Sequence, residues 1–350
     1  MKNLILPFLA LLTFVFSCTN NDENETLEKN TLSYDVYVAG RENNIACYWK
    51  NNLKTNLTNG DNLSSAEIKV DNNDIYVTAN SNINLISLTQ VEFFWKNNIK
   101  SDIRQYLNIS NSLQSFITGF AVKNGDVYFA GFMENPSAAS NLEKFQLCYW
   151  KNGVKTVLFQ SQFPSYAHAI HIGGADVYVS ATKVDTNQNI QKGYFKKGIF
   201  HPVDASNISN FTKNNNGVHV LFEKNMKFYS KNLNTNLETL IGDYASPAAP
   251  ISGKITSEES STDLYSIYQT GWFTYFKNRS VIVPNFSALS YIKDLFVHSN
   301  NIYLIKYDTS NNSYIGKLFI NGIETQSITS TSPNGLNYTG TFNSIFVDPN

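Results

Sequence analysis

Cysteine is nearly absent, with three in 350 residues, so no disulfide framework can organise this chain. Charge is also sparse. Lys, Arg, Asp and Glu make up 16% of the residues, the net charge is −1, and the lysines are scattered. Nucleic acid is therefore excluded as a partner, because such binding needs a cluster of phosphate-neutralising Lys and Arg. Beyond Leu4 to Phe16 no apolar run is long enough for a transmembrane helix. No Ser-His-Asp arrangement surrounds a nucleophile elbow, and there is no glycine-rich phosphate loop and no HExxH motif. No catalytic residue, metal or cofactor is expected.

What the chain does have is repetition. The stretch FAVKNGDVYFAG, followed by a longer polar connection and then FQLCYWKNGVKTVL, is one unit. Asn124-Gly125 and Asn152-Gly153 each split a pair of short β-rich runs. Asn-Gly readily takes the positive φ angles of a type I′ turn, so each pair reads as a tight hairpin. One unit is thus four strands, a to d, with tight a-b and c-d turns and a longer b-c connection. The start of strand b recurs at Asp35, Asp74, Asp126, Asp176, Gly217, Asp263 and Asn301, a spacing that averages about 44 residues. A second signature follows each copy in phase: YWKNN from Tyr48, FWKNN from Phe94, YWKNG from Tyr149, YFKKG from Tyr194, FYSKN from Phe228, YFKNR from Tyr275 and LFING from Leu318. The signature is weakest in the fifth.

Four strands at this period define a β-propeller blade. Apolar residues on both faces of strand b, such as Val127, Tyr128 and Phe129, suit a sheet sandwiched between neighbours. The first copy begins at strand b, and SIFVDPN at Ser344 to Asn350 matches strand a of other copies. The fold expected is all-β: seven four-stranded antiparallel blades, closed by a C-terminal strand that completes the N-terminal blade and removes two sheet edges. Residues 31–350 are read as this single domain, because the repeat leaves no linker. Cys47 and Cys148 precede the aromatic pair of strand c in blades one and three. Being a whole blade apart, they read as small buried hydrophobes rather than a disulfide.

Residues 1–18 are read as a signal peptide. Lys2 supplies a positive n-region, Leu4 to Phe16 the apolar core, and Val15-Phe16-Ser17-Cys18 the end. The last four residues resemble the lipobox of bacterial lipoproteins, which implies cleavage before Cys18 and lipidation there; an ordinary secretory signal is the alternative. Residues 19–30 form a polar, acidic tether with too little apolar content to fold. Its Asp22, Glu23 and Glu25 resemble the acidic surface-export signals of Bacteroidetes lipoproteins, although a plain solvated linker fits equally.

The a-b and c-d turns share one face of the disc, and the b-c and d-a connections share the other. Extra length falls on the second face, at Thr78 to Gln90, Gly131 to Lys144, Phe159 to Ala167, Thr182 to Lys192 and Gly242 to Gly253, which places binding there. Aromatics that depart from the repeat on this face are the candidate ligand contacts: Phe163, Tyr166 and His168, then Tyr244, and Trp272. Trp272 as a filler between blades is the competing reading. His168 and His171, three apart on a strand, are expected on opposite faces and so unable to share a metal. The repeated Asp35, Asp74, Asp126 and Asp176 could form a cation-binding ring; the preferred reading is that each caps its own a-b turn.

The paired signatures and the lipobox together resemble the propeller lipoproteins common in Bacteroidetes. That resemblance covers nearly all of residues 31–350 and implies a propeller tethered to the outer membrane, without assigning a ligand or catalytic residue. The function expected is a monomeric, non-catalytic binding module anchored through Cys18, displaying its long-loop face to a protein, peptide or glycan. Two alternatives are kept, a structural subunit of an envelope complex and an envelope glycan hydrolase or lyase.

Overall fold

Positive φ marks where this chain turns. Asn124 and Gly125 sit at 53° and 78°, and Asn152 and Gly153 at 49° and 80°, so both Asn-Gly pairs adopt the left-handed region that a type I′ turn needs. The computed structural model describes residues 34–81, 90–243, 253–268, 274–284, 290–310, 313–331 and 339–349. The fold lies within Val36–Asp348; of the other compact unit, Met1–Asp35 with Pro349–Asn350, only Tyr34, Asp35 and Pro349 are described.

Asn152 does more than reverse the chain. Its Oδ1 accepts the Val127 N–H at 2.8 Å, its own N–H donates to the Val127 carbonyl at 2.8 Å, and its Nδ2 donates to Asp126 at 2.7 Å. Lys151, one residue earlier, pairs with the other Asp126 oxygen at 2.7 Å and lies 5.7 Å from the Tyr128 ring centre. The same set recurs around Asp74 with Lys96 and Asn97, and around Asp263 with Lys277 and Asn278. In blade seven Asn301 and Asn321 keep the neutral half of it. The Asp-x-Tyr and Lys-Asn signatures are therefore one device that pins the c-d turn to the start of strand b. This corrects the expectation that Asp74 and Asp126 cap their own a-b turns. Because Tyr128 pairs with Lys151 across strands b and c, the residue that opens strand b lies beside the c-d turn instead.

Seven four-stranded antiparallel sheets result. Blade one is ordered Thr341–Pro349, Tyr34–Glu42, Ile45–Lys50, Leu53–Asp61, so the C-terminal strand does occupy position a of the N-terminal blade and closes the ring. The inner strands of blades two to seven are Ser64–Asp71, Ser115–Lys123, Tyr166–Gly173, Asn207–Asn214, Gly253–Thr256 and Ser290–His298. The fifth blade, despite its weak signature, is a complete sheet.

The core sits between blades. Tyr76, Phe94, Ile117, Phe129 and Trp150 pack together where blades two and three meet, and similar clusters follow around the ring. Cys47 and Cys148 are buried free thiols whose pKa burial pushes up to about 12, which keeps them protonated and unreactive.

One feature of the inner strands was not legible in the repeat. Five of them carry a β-bulge at corresponding places, around Ala66, Thr118, His168, Ser209 with Asn210, and Lys293. A bulge frees a residue from its own ladder. Here several of the freed residues stitch blades together. Thr118 donates to the Ala167 carbonyl at 2.8 Å, and Asn210 exchanges two bonds with Ile255 at 2.9 and 3.0 Å. Asn343 donates to the Ser65 carbonyl at 2.6 Å, and Asp294 accepts the Ile345 N–H at 2.8 Å. Ser180 joins blades four and five through the Ser209 carbonyl at 2.6 Å, and the Val91 N–H joins two and three through the Ile117 carbonyl at 2.7 Å.

Candidate functional site

The inner strands enclose a channel of about 690 Å³, within the roughly 300–1,000 Å³ typical of small-molecule sites. Ser64, Thr118, His168 and Asn343 line it toward the loop face, and Lys123 and His298 toward the turn face. All seven inner strands contribute to its wall, so the belt of bulges also shapes the lumen.

His168 is one of the bulged residues, and this changes its direction. Strand alternation would separate it from His171, yet the His168 ring bonds Thr182 and the His171 ring meets Tyr178, two residues on one face of the neighbouring strand. The expectation of opposite faces is thus corrected, the extra residue having shifted the alternation by one. Even so, among the described residues no three His, Cys, Asp or Glu side chains converge as a metal site. Desolvation pushes the pKa of His168 down to about 4, with the nearby Lys192 adding to the effect. Its ring is neutral. Its Nε2 lies 2.7 Å from Thr182 Oγ1, which also accepts from Lys192 Nζ at 2.9 Å.

Two residues before His168, Tyr166 opens the same strand and is 39% exposed, although it is not among the residues that line the channel. Its ring meets Phe132 edge-on at 5.2 Å and Phe116 at 6.3 Å, and Phe132 in turn meets Phe145 at 5.9 Å. Tyr166 is therefore the exposed member of an aromatic cluster that spans blades three and four. Phe116, Phe132 and Phe145 lie inside strands, where a sequence reading takes them as blade core. Phe163 is elsewhere. It is half-buried in the connection of residues 162–165, its N–H donating to Ser161 Oγ at 3.3 Å, and among the described residues no ring contact joins it to Tyr166. Tyr244, Trp272 and Cys18 lie outside the described residues.

The connections are shorter than the sequence suggested. Strand b of blade three runs to Glu134, leaving residues 135–144, and strand b of blade four runs to Val184, leaving residues 185–189. The latter is held by Asp185, which accepts from the backbone of Asn187 and Asn189 and from the Asn189 side chain. Those bonds, from Asn189 first, lower its pKa. A one-turn helix, Ile103–Tyr106, fills the connection between blades two and three, capped by Asp102. Among the described residues no helix is long and apolar enough to cross a membrane.

No protein-family model matches the chain, and no curated protein sequence matches it. Solved structures do. Apo AztD from Citrobacter koseri is similar at 9% identity and a TM-score of 0.46, over 90% of this chain and 98% of that one. A Bacteroides uniformis protein provisionally assigned as a 6-phosphogluconolactonase is similar at 10% identity and a TM-score of 0.46, over 90% and 100%. A polysaccharide lyase of family PL25, an ulvan lyase, is similar at 9% identity and a TM-score of 0.43, over 89% and 96%. No ligand or activity passes from these proteins to this chain.

Proposed function

We propose that this protein is a non-catalytic binding module that takes a ligand at the loop-side mouth of its axial channel, carried on the outer membrane by a lipid at Cys18. The observation that supports it is that the strand opened by an exposed aromatic, Tyr166, also carries His168, which lines the channel. Such a strand supplies stacking area beside a polar group.

Thermal unfolding of the full chain in non-ionic detergent, against panels of glycans and peptides, tests this. Ligand at a hundred times its dissociation constant stabilises by about 2.7 kcal/mol. The expected result is a shift that Tyr166→Ala abolishes, with the ligand recovered intact. A chemically altered ligand would move the assignment to an enzyme.

A second reading has its own observation. Leu53, Ile99, Val154, Ile199 and Ile323 each open strand d, directly after the c-d turn, and are between 64% and 76% exposed. Five aliphatic residues at the same corner of five blades suit docking of the outer rim onto another envelope protein. Absence of any shift, with whole-cell crosslinks that Ile99→Glu and Val154→Glu remove, would favour this structural role.

A further inference from the structure

The channel wall formed by blades six, seven and one carries a positive charge that its surroundings do not balance. Asp294 is its carboxylate, and both oxygens are committed within the wall. Oδ1 takes the ammonium of Lys254 and the Leu295 N–H at 2.9 Å, while Oδ2 takes the Ile345 N–H at 2.8 Å. Lys254 is thereby neutralised. Lys293, the bulged residue immediately before Asp294, also lines the channel, and among the described residues nothing accepts a hydrogen bond from its Nζ or pairs with it. Burial lowers its pKa, with Asp294 opposing the shift, as expected for an ammonium that has exchanged bulk water for a confined lumen.

The lysines that line the rest of the channel are provided for. Lys69 pairs with Glu67 at 2.8 Å, Lys213 pairs with Glu259 at 2.6 Å, and Lys123 reaches the Ile172 carbonyl at 3.4 Å. Lys293 stands apart from them. Three residues along its strand is Phe296, whose ring centre lies 5.6 Å from that of Phe346 in the neighbouring blade, and both residues line the channel. An uncompensated ammonium thus shares a stretch of wall with an aromatic pair.

We propose that the channel binds a monocarboxylate with a ring-shaped body, its carboxylate paired with Lys293 and its ring laid against Phe296 and Phe346. A single surplus charge suits a singly charged acid. A dianionic phosphate would bring excess negative charge toward Glu67, Asp294, Glu258 and Glu259, which line the same channel. An acidic sugar and an aromatic acid offer this chemistry equally, the first presenting the C–H face of a pyranose and the second a π face. The assignment rests on the reading of the channel as a ligand site.

Titration calorimetry on the full chain in non-ionic detergent separates these cases, with glucuronate against glucose and benzoate against benzamide as probes. At least one acid is expected to bind about tenfold or more tightly than its neutral partner, as a charge-assisted bond in a confined site implies. Whichever acid shows that margin identifies the source. Lys293→Gln should bring the acid to within about twofold of its neutral partner, while Lys123→Gln, toward the turn face, should change it by less than about twofold. The fold should survive Lys293→Gln, since the change removes a desolvated charge without a partner, and an unchanged melting temperature checks this. Equal binding of acid and neutral partner would overturn the carboxylate assignment and leave the channel a ligand site. Equal losses in the two lysine variants would overturn the role of Lys293, and no binding by any probe would overturn both readings.

Discussion

Asn152 shows how much of this fold rests on single side chains. It occupies a positive φ and holds two strands together through both ends of its amide. Asn152→Ala should cost about 2 kcal/mol, about half from the left-handed backbone and half from the lost bonds. Asn152→Gly keeps the backbone and should cost only about 1 kcal/mol. Urea unfolding of the two variants measures the difference. The histidines set the response to acid. His168 and His171 are both pushed down to about 4 by burial; Lys192 adds to this at the first, and Lys123, Lys69 and Lys213 at the second, where Glu259 opposes. An unfolded histidine titrates near 6.5, so as pH falls below that value the unfolded chain takes up protons first. Stability is therefore complete above about pH 6.5 and declines toward pH 4, by on the order of 2–3 kcal/mol for each ring. Thermal unfolding between pH 7 and pH 4 should show this slope, and a His168→Gln, His171→Gln double variant should flatten it.

Among the elements, the closing strand depends on a contact that no local pattern announces. The buried hydroxyl of Tyr307, in blade seven, donates to the Phe342 carbonyl at 2.6 Å and accepts the Phe342 N–H at 2.5 Å. Tyr307→Phe would leave two buried backbone groups without partners and should cost about 2–4 kcal/mol, read as a lowered unfolding midpoint with an unchanged denaturant slope. Strands b and c were legible because their residues serve neighbours within the same blade, and Asp-x-Tyr with Lys-Asn is a local code. The inner strands were not legible in the same way. Thr118, Asn210 and Asp294 serve the backbone of the next blade, so their identities follow from packing around the ring and break the simple alternation. The same shift explains why His168 was found as a candidate but its direction was misread. Tyr166 stood out because it departs from the repeat. Its supporting rings Phe116 and Phe132 did not, since an aromatic inside a strand looks like any other blade residue.

For the molecule as a whole, the number of blades and the manner of closure could be read from the chain, because seven in-phase signatures and an unpaired first strand leave one solution. The ligand could not, since the channel wall draws one or two residues from each of many blades and no contiguous motif records it. Closure itself has a consequence for biogenesis. Tyr34–Glu42 pairs on one side with the adjacent Ile45–Lys50, but its other side is covered only by Thr341–Pro349, at the far end of the repeat. Until synthesis has passed that strand, everything upstream can exist only as an open arc with bare strand edges, and a contact of such long range forms slowly. A nascent chain of this design stays unlocked for most of its translation.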